Sequence, residues 1–388
     1  MNRADLIALA KRMLDLIDRK TTDLAPSVML EPMVMYTSPD VLRQERELIF
    51  GRSPMFLGMS GDLPAPGTWK SVDIVDTPYL LCRDADGEVH LYLNSCRHRG
   101  VKVVDGAGTS ANLRCPFHAW TYDFTGKLIA ITEPEAFEGL CREEHGLVSL
   151  PVVERYGMIF GAPVPGPPLD ADDFLCGLGP ELAEWGFETF SLYTERHPHP
   201  FRGNWKFAWD TYCENYHFAF LHEKTLEGYL VNRRQAVDFF GPHVRMVSAL
   251  QSIHELRDQP EEEWDPGRHL SIQYRIYPSV SFTVFPDKNE VHWVFPGDTP
   301  FDGEGMHAVY VAEQPEREED RKALDEAIFF GCEVVVNGED LWVTGQSELG
   351  MRAPAAADHV VFGRNEPAVQ HFHNEFRRAI GIDVPSGT

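Results

Sequence analysis

One stretch of this chain concentrates residues able to do chemistry: Asn204 to His222, reading NWKFAWDTYCENYHFAFLH, sets two histidines and two carboxylates among aromatic side chains. Glu214 and His217 are three apart, and Asp210 lies one turn before Glu214. A helix through this stretch would put those three on one face. His222, five residues beyond His217, falls off that face, so a helix must bulge or end between Phe218 and Leu221 if both imidazoles are to reach one metal. Two neutral imidazoles and one later carboxylate form the 2-His-1-carboxylate set, whose open positions suit non-haem Fe(II) and oxygen chemistry. The competing reading is a buried core helix, rich in Trp209, Tyr212, Tyr216, Phe218 and Phe220, carrying hydrogen-bonded histidines.

A second set is Cys96-Arg-His98, sixteen residues, then Cys115-Pro-Phe-His118, or C-x-H-x16-C-x2-H. Each half offers one thiolate and one imidazole from a tight turn. A tetrahedral Cys2His2 zinc could use them, and so could a Rieske [2Fe–2S] centre, with both cysteines on one iron and both histidines on the other. Zinc sites pair like with like in each turn. Here each turn is mixed, as required when each loop must touch both irons, and the reading is a Rieske centre.

CRHRG followed by CPFHAWTYDFTGKL resembles the oxygenase class of Rieske proteins, and NWK...ENYH...H resembles the catalytic domain of the same family, the α (oxygenase) subunits of Rieske non-haem iron ring-hydroxylating oxygenases. The resemblance covers nearly the whole chain. It implies [2Fe–2S] ligands Cys96, His98, Cys115 and His118, and a mononuclear Fe(II) on His217, His222 and an acid from a long C-terminal helix. Asp340, in NGEDLWVTGQSELG, is the expected acid, with Glu339 as its rival. It also implies that Glu214 bridges His217 to the second Rieske histidine, His118, of a neighbouring subunit in a cyclic trimer. Many members have Asp there, and the longer Glu resembles the branch acting on quaternary amines. The chain departs from the pattern at Asp210-Thr211-Tyr212, where relatives often carry Glu-Asn-Tyr. Respiratory Rieske proteins resemble C-T-H-L-G-C and C-P-C-H; Val101 and Phe117 stand at the corresponding extra cysteines, which places the potential low in the roughly −150 to +300 mV Rieske range.

Those residues need scaffolds. Residues 2–20 carry an apolar stripe at helical spacing with Asn2 as cap, and a helix capped by Ser38 or Asp40 follows. From Met55 to Phe160 short β-rich runs alternate with turns, Asp86-Gly87 and Thr125-Gly126 among them, and GAPVPGPPLDADD reads as the linker out. Later runs, including LSIQYRIY, VSFTVF and EVHWVF, favour one antiparallel sheet. Arg317 to about Gly345 reads as a long helix and Pro367–Ile380 as a last one. The expected class is α+β: an N-terminal helical segment, 1–45, packing on the catalytic domain or a neighbouring subunit; a small all-β Rieske domain, 46–165; and a catalytic domain, 166–388, which by resemblance is a helix-grip sheet around the long helix.

A formal net charge of −25 argues against nucleic acid or an anionic membrane as partner. No apolar run reaches membrane-span length and no secretory leader pattern is present, so the expectation is a cytoplasmic protein. The seven cysteines are odd in number and scattered, unlike a disulfide framework. With neither a dinucleotide fingerprint nor a flavin site, electrons from NAD(P)H should arrive through a separate reductase or ferredoxin, and a β subunit is compatible with the sequence. The expected activity is O2-dependent hydroxylation of a small organic substrate, aromatic by family, with demethylation or quaternary amine oxidation as the alternative and a non-catalytic Rieske electron carrier as the alternative of another class. An apolar pocket lined by Trp209, Phe220, Phe282, Val284 and Phe330 is expected beside the iron. His197-Pro-His199 and His371-Phe-His373 have ligand-like spacing but no evident partner, and surface or core roles are expected for them.

Overall fold

The computed structural model describes residues 1–226, 228–285, 287–353 and 357–384, with side chains left aside at 196–198. The chain divides into two compact units: Phe50–Phe174 with Gly186–Ser191, and Met1–Ile49 with Leu175–Trp185 and Leu192–Thr388. The division thus falls at 50 and 174 rather than at 46 and 165, so the proline-rich segment stays with the smaller unit.

In the smaller unit the alternating runs become antiparallel strands. Among the described residues, Ser149–Leu150, Val89–Leu93, Thr77–Arg83, Thr68–Ile74 and Ala107–Thr109 form one sheet in that spatial order. Two three-stranded sheets complete the unit. Turn chemistry explains the register. The Asp84 carboxylate accepts from the Asp86 and Glu88 amides, both at 3.0 Å, and Gly87 takes a φ of 89°, which costs a residue without Cβ nothing. Cys96 and Cys115 sit in the core cluster with Leu80, Tyr92, Leu113, Trp120 and Tyr122.

The larger unit is built on a seven-stranded antiparallel sheet. Its strands are, in spatial order, Ser191–Arg202, Asp302–Val311, Lys288–Pro296, Val280–Val284, Leu270–Ile276, His243–Leu250 and Leu230–Phe240. Directly opposed residues share a face. Arg275 opposes Ser281, Ser281 opposes His292, and His292 opposes His307. This row and its neighbour, Gln273–Thr283–Glu290, make one face polar. Phe282 and Val284, one residue out of phase, lie on the other.

A long helical run covers the polar face. It is α-helical over Glu318–Phe329, π-helical over Phe330–Asp340 and α-helical again over Leu341–Met351, with Ile328 and Cys332 packed on Val309 and Val311. The fold is α+β with a helix-gripping sheet. The N-terminal helix, Arg3–Asp18, starts where the Asn2 side chain accepts the Asp5 amide at 3.0 Å. Its buried Leu9, Ala10, Met13 and Leu14 pack against the strands Leu230–Phe240 and His243–Leu250, so the stripe finds its partner within the chain. Ser38 caps Pro39–Gln44 as expected, and π-helical turns continue it to Phe50. Among the described residues no helix is long and apolar enough to cross a membrane.

Candidate functional site

The expected helix through Asn204–His222 is shorter than its pattern suggests. Asn204 caps it, accepting the Lys206 amide at 2.9 Å, and it spans Trp205–Tyr212 before stopping at Cys213. Asp210 therefore does not share a helical face with Glu214 and His217. It accepts instead from Tyr36 Oη at 2.7 Å and lies 2.9 Å from His373 Nε2. The break that convergence of the histidines demands comes before Glu214 and not between Phe218 and Leu221. The chain continues through a 3-10 turn at His217–Ala219, and Asn215 moors it to the sheet through Arg234 O at 3.0 Å and Ser248 Oγ at 3.1 Å.

This path brings His217 and His222 together with Asp340, their ligand-type atoms within 4.8 Å of one another. Asp340 Oδ1 lies 3.5 Å from His217 Nε2 and 3.3 Å from His222 Nε2. That oxygen is buried with no hydrogen-bond donor, an expensive state for a carboxylate unless a cation fills the gap. The rear nitrogens are both held. His217 Nδ1 bonds to Glu214, whose other oxygen accepts the Tyr216 and His217 amides. His222 Nδ1 bonds to Glu339 Oε2 at 2.7 Å, and Thr225 Oγ1 donates to the same oxygen at 2.7 Å. Burial pulls the His222 pKa down, but Asp340 and Glu339 outweigh it and raise it, as expected of a pocket that favours positive charge. The set fits a mononuclear iron: three facing ligand atoms, with carboxylates behind both rings fixing the tautomers. Glu339, weighed as a rival ligand, stands behind His222 instead.

In the smaller unit the two Cys-His loops are built alike. Cys96 O accepts from Gly100 N at 2.8 Å and Cys115 O from Ala119 N at 3.1 Å. The residue closing each loop is left-handed, with φ 76° at Gly100 and 57° at Ala119. The His98 and His118 rings lie 4.7 Å apart, and both Nδ1 atoms are buried without a partner. Burial, His118 and Arg99 hold His98 below the usual imidazole range, leaving it neutral, the form that ligates. The Tyr122 hydroxyl lies 3.4 Å from Cys96 Sγ. Two buried thiols and two orphaned imidazole nitrogens fit a [2Fe–2S] centre.

A cavity of about 230 Å³ adjoins His217, His222 and Asp340; it is partly apolar as expected, but its lining residues differ from those expected and one side is polar. Of the five residues named for it, Phe330 lines it. Trp209 is fully buried and packs on Phe372, 5.2 Å between rings. Phe282 and Val284 lie on the opposite sheet face by parity, and Phe220 lines a separate cavity beside Glu214. The sheet side of its wall is Gln235, Gln273, Arg275, Ser281 and Thr283, and Phe218, Leu226, Leu230, Val335 and Val336, with Tyr229 and Phe285, make the remainder apolar. Polar residues at alternate positions in LSIQYRI and VSFTV carried this signal, hidden by the apolar residues between them.

Residues 187–382 match the model of the ring hydroxylating alpha subunit catalytic domain, and residues 53–151 match the Rieske [2Fe-2S] domain. The glycine betaine monooxygenase oxygenase subunit of Chromohalobacter salexigens is 32% identical over 196 residues, 50% of this chain and 43% of the relative. The biphenyl 2,3-dioxygenase subunit alpha of Rhodococcus jostii is 31% identical over 216 residues, 53% of this chain and 44% of the relative. The matched region thus spans less than half the length of these curated relatives. The crystal structure of a quaternary ammonium Rieske monooxygenase with an inhibitor superposes with a TM-score of 0.77 at 21% identity, covering 91% of this chain and 96% of that one, a likeness of fold.

Proposed function

From the premise that this chain belongs to the ring hydroxylating alpha subunit family and carries a Rieske [2Fe–2S] domain, we propose that it is the oxygenase component of a monooxygenase acting on a small amine that bears a carboxylate. The relatives divide between amine monooxygenases and aromatic dioxygenases, so they do not decide the substrate. The cavity supports the first kind. An aromatic hydrocarbon would strip water from the polar side of this wall and from the charge on Arg275 while offering no hydrogen bond or counter-charge in return.

The observation that carries this reading is Arg275. It is buried, 3% exposed, and its guanidinium donates to Tyr212 O at 2.5 Å, Ser281 Oγ at 2.7 Å and Gln273 Oε1 at 2.5 Å. All three acceptors are neutral, and among the described residues no carboxylate lies in ion-pair range. Burial, opposed by Cys213 and Tyr212, brings its pKa down only to about 10, so it stays charged at neutral pH. A buried cation without a counter-ion costs several kcal/mol. A substrate carboxylate offsets that cost, and Tyr229, Phe285 and Phe330 offer aromatic faces for a cationic amine.

When bound, the [2Fe–2S] centre supplies single electrons and the non-haem iron supplies dioxygen activation. The side chains do the rest. We assign Cys96, His98, Cys115 and His118 to the first group and His217, His222 and Asp340 to the second. Glu214 and Glu339 keep the facing nitrogens deprotonated by accepting hydrogen bonds from the Nδ1–H groups, which holds each proton on the rear nitrogen. Beside Glu214 a cavity of about 510 Å³, lined by Tyr216, Phe220, Val361 and Glu366, opens to a surface where Phe220 and Val361 are exposed. A neighbouring subunit's His118 edge is the occupant we propose, in a trimer fed by a separate ferredoxin or reductase.

Product analysis on a matched pair tests the substrate. Glycine betaine should be demethylated with uptake of labelled dioxygen, and choline, with an alcohol in place of the carboxylate, should turn over at least tenfold less efficiently. Equal turnover, or turnover of biphenyl alone, contradicts the proposal.

A further inference from the structure

The polar sheet face carries a second cluster of ligand-type side chains, a different set from the iron ligands, with two of its members on the wall of the cavity that adjoins them. Glu290 and His292 are two apart on Lys288–Pro296 and so share a face, and His307 on Asp302–Val311 directly opposes His292. The ligand-type atoms of these three lie within 4.8 Å of one another, and the two rings are 4.3 Å apart. From the covering helix, Cys332 brings its Sγ to 3.1 Å from His307 Nδ1. His199, on the next strand, leans over Gly305: a Cβ there would lie 2.8 Å from His199 Nε2. The missing side chain is what lets a third imidazole approach. A cavity of about 340 Å³ opens among His199, His292, His307 and Cys332. Ligand-like spacing at His199 was expected to find no partner, and the fold supplies one.

We propose that Glu290, His292, His307 and Cys332, flanked by His199, bind a second metal ion of the zinc type. Thiolate, imidazole and carboxylate together match the donor set zinc accepts, with ligand atoms about 3.4 Å apart around a tetrahedral ion, so side-chain adjustments close the site. Arg275, two strands away, works against a cation here. Lys288, 2.5 Å from the Glu290 carboxylate, does so too, and the Cys332 thiolate and the Glu290 carboxylate supply two negative charges against these two. Cys332 lies at the start of the π-helical run and Asp340 at its end. A metal on Cys332 ties that run to the sheet and steadies the segment that presents Asp340 and Glu339.

Cobalt(II) is the probe, because a cobalt–thiolate bond gives a charge-transfer absorption that a histidine–carboxylate site lacks. The holoprotein is titrated with Co(II) and read as a difference spectrum against the untreated protein, and its zinc content is measured by mass spectrometry. The expected result is a thiolate charge-transfer band, displaced by Zn(II), that Cys332→Ser abolishes and His292→Gln weakens at least tenfold in affinity. Asp340→Ala, which removes the iron site, keeps the band. Absence of the band in wild-type protein, or its persistence in Cys332→Ser, overturns the proposal. Loss of the band in Asp340→Ala with retention in His292→Gln does so too, by removing His292 from the thiolate's metal and making that metal depend on the iron ligands.

Discussion

Glu339 Oε2 lies 2.7 Å from His222 Nδ1, while Asp340, its neighbour in the chain, meets the other nitrogen of the same ring at 3.3 Å. Two adjacent acids thus serve opposite edges of one imidazole. Asp340→Ala should lose the mononuclear iron while the Rieske absorption stays intact. Glu339→Gln should keep the iron but bind it about 10–100-fold more weakly, the usual effect of losing a group behind a ligand. Iron content and visible spectra of the two variants check this, and iron loss only in the Glu339 variant would reverse the assignment.

Glu214 holds His217 by its ring and by its amide. Glu214→Gln retains size and hydrogen bonding but removes the charge. Both metal centres should load, and steady-state turnover should fall by at least 100-fold, while reduction of the Rieske centre by dithionite is unaffected. Unimpaired turnover would remove Glu214 from the electron path.

Arg275 separates stability from function. Its buried charge costs stability when the cavity is empty while its three hydrogen bonds offset that cost, so Arg275→Met should change the melting temperature of the substrate-free protein by only a few degrees. Breaking a buried charge pair costs about 2–5 kcal/mol, so kcat/KM for a carboxylate-bearing amine should fall roughly 30-fold or more, mostly through KM. A large drop in melting temperature with KM unchanged would make Arg275 a structural residue.

His373 predicts a pH dependence. Burial lowers its pKa, but Asp210 and Glu31 more than reverse this and push it up to about 9. Its unfolded value is about 6.5. A folded pKa above the unfolded one gives stability that is complete below about pH 6.5 and lost as pH rises through about 9. The contribution is on the order of 3 kcal/mol. Urea unfolding between about pH 6 and 10 should show wild type declining and His373→Gln, less stable at the acid end, nearly flat. Parallel profiles would contradict the charged network.

Both candidate ligand sets could be picked out in the sequence because ligand chemistry is local: Cys96, His98, Cys115 and His118 stand out by type and spacing. The β-rich texture, the Asn2 and Ser38 caps and the long C-terminal helix were legible for the same reason. What escaped depends on tertiary context. The Trp205–Tyr212 helix ends early, and the chain after it is held by Asn215 on Arg234 O and Ser248 Oγ of the sheet, partners far away in sequence that no local pattern reveals. The turn at Val75 and Asp76 has positive φ at both positions, 47° and 64°, without the Gly or Asn that would flag it. The pocket wall was misread through parity, since in VSFTV the apolar Phe282 and Val284 drew attention while Ser281 and Thr283 face the cavity.

A single turnover of the dithionite-reduced holoprotein with labelled dioxygen tests the central claim most directly, with glycine betaine and biphenyl offered in parallel. The account predicts demethylated amine formed in stoichiometric burst from wild type, none from Asp340→Ala, and no oxygenated biphenyl. Labelled diol from biphenyl with the amine returned intact would contradict it.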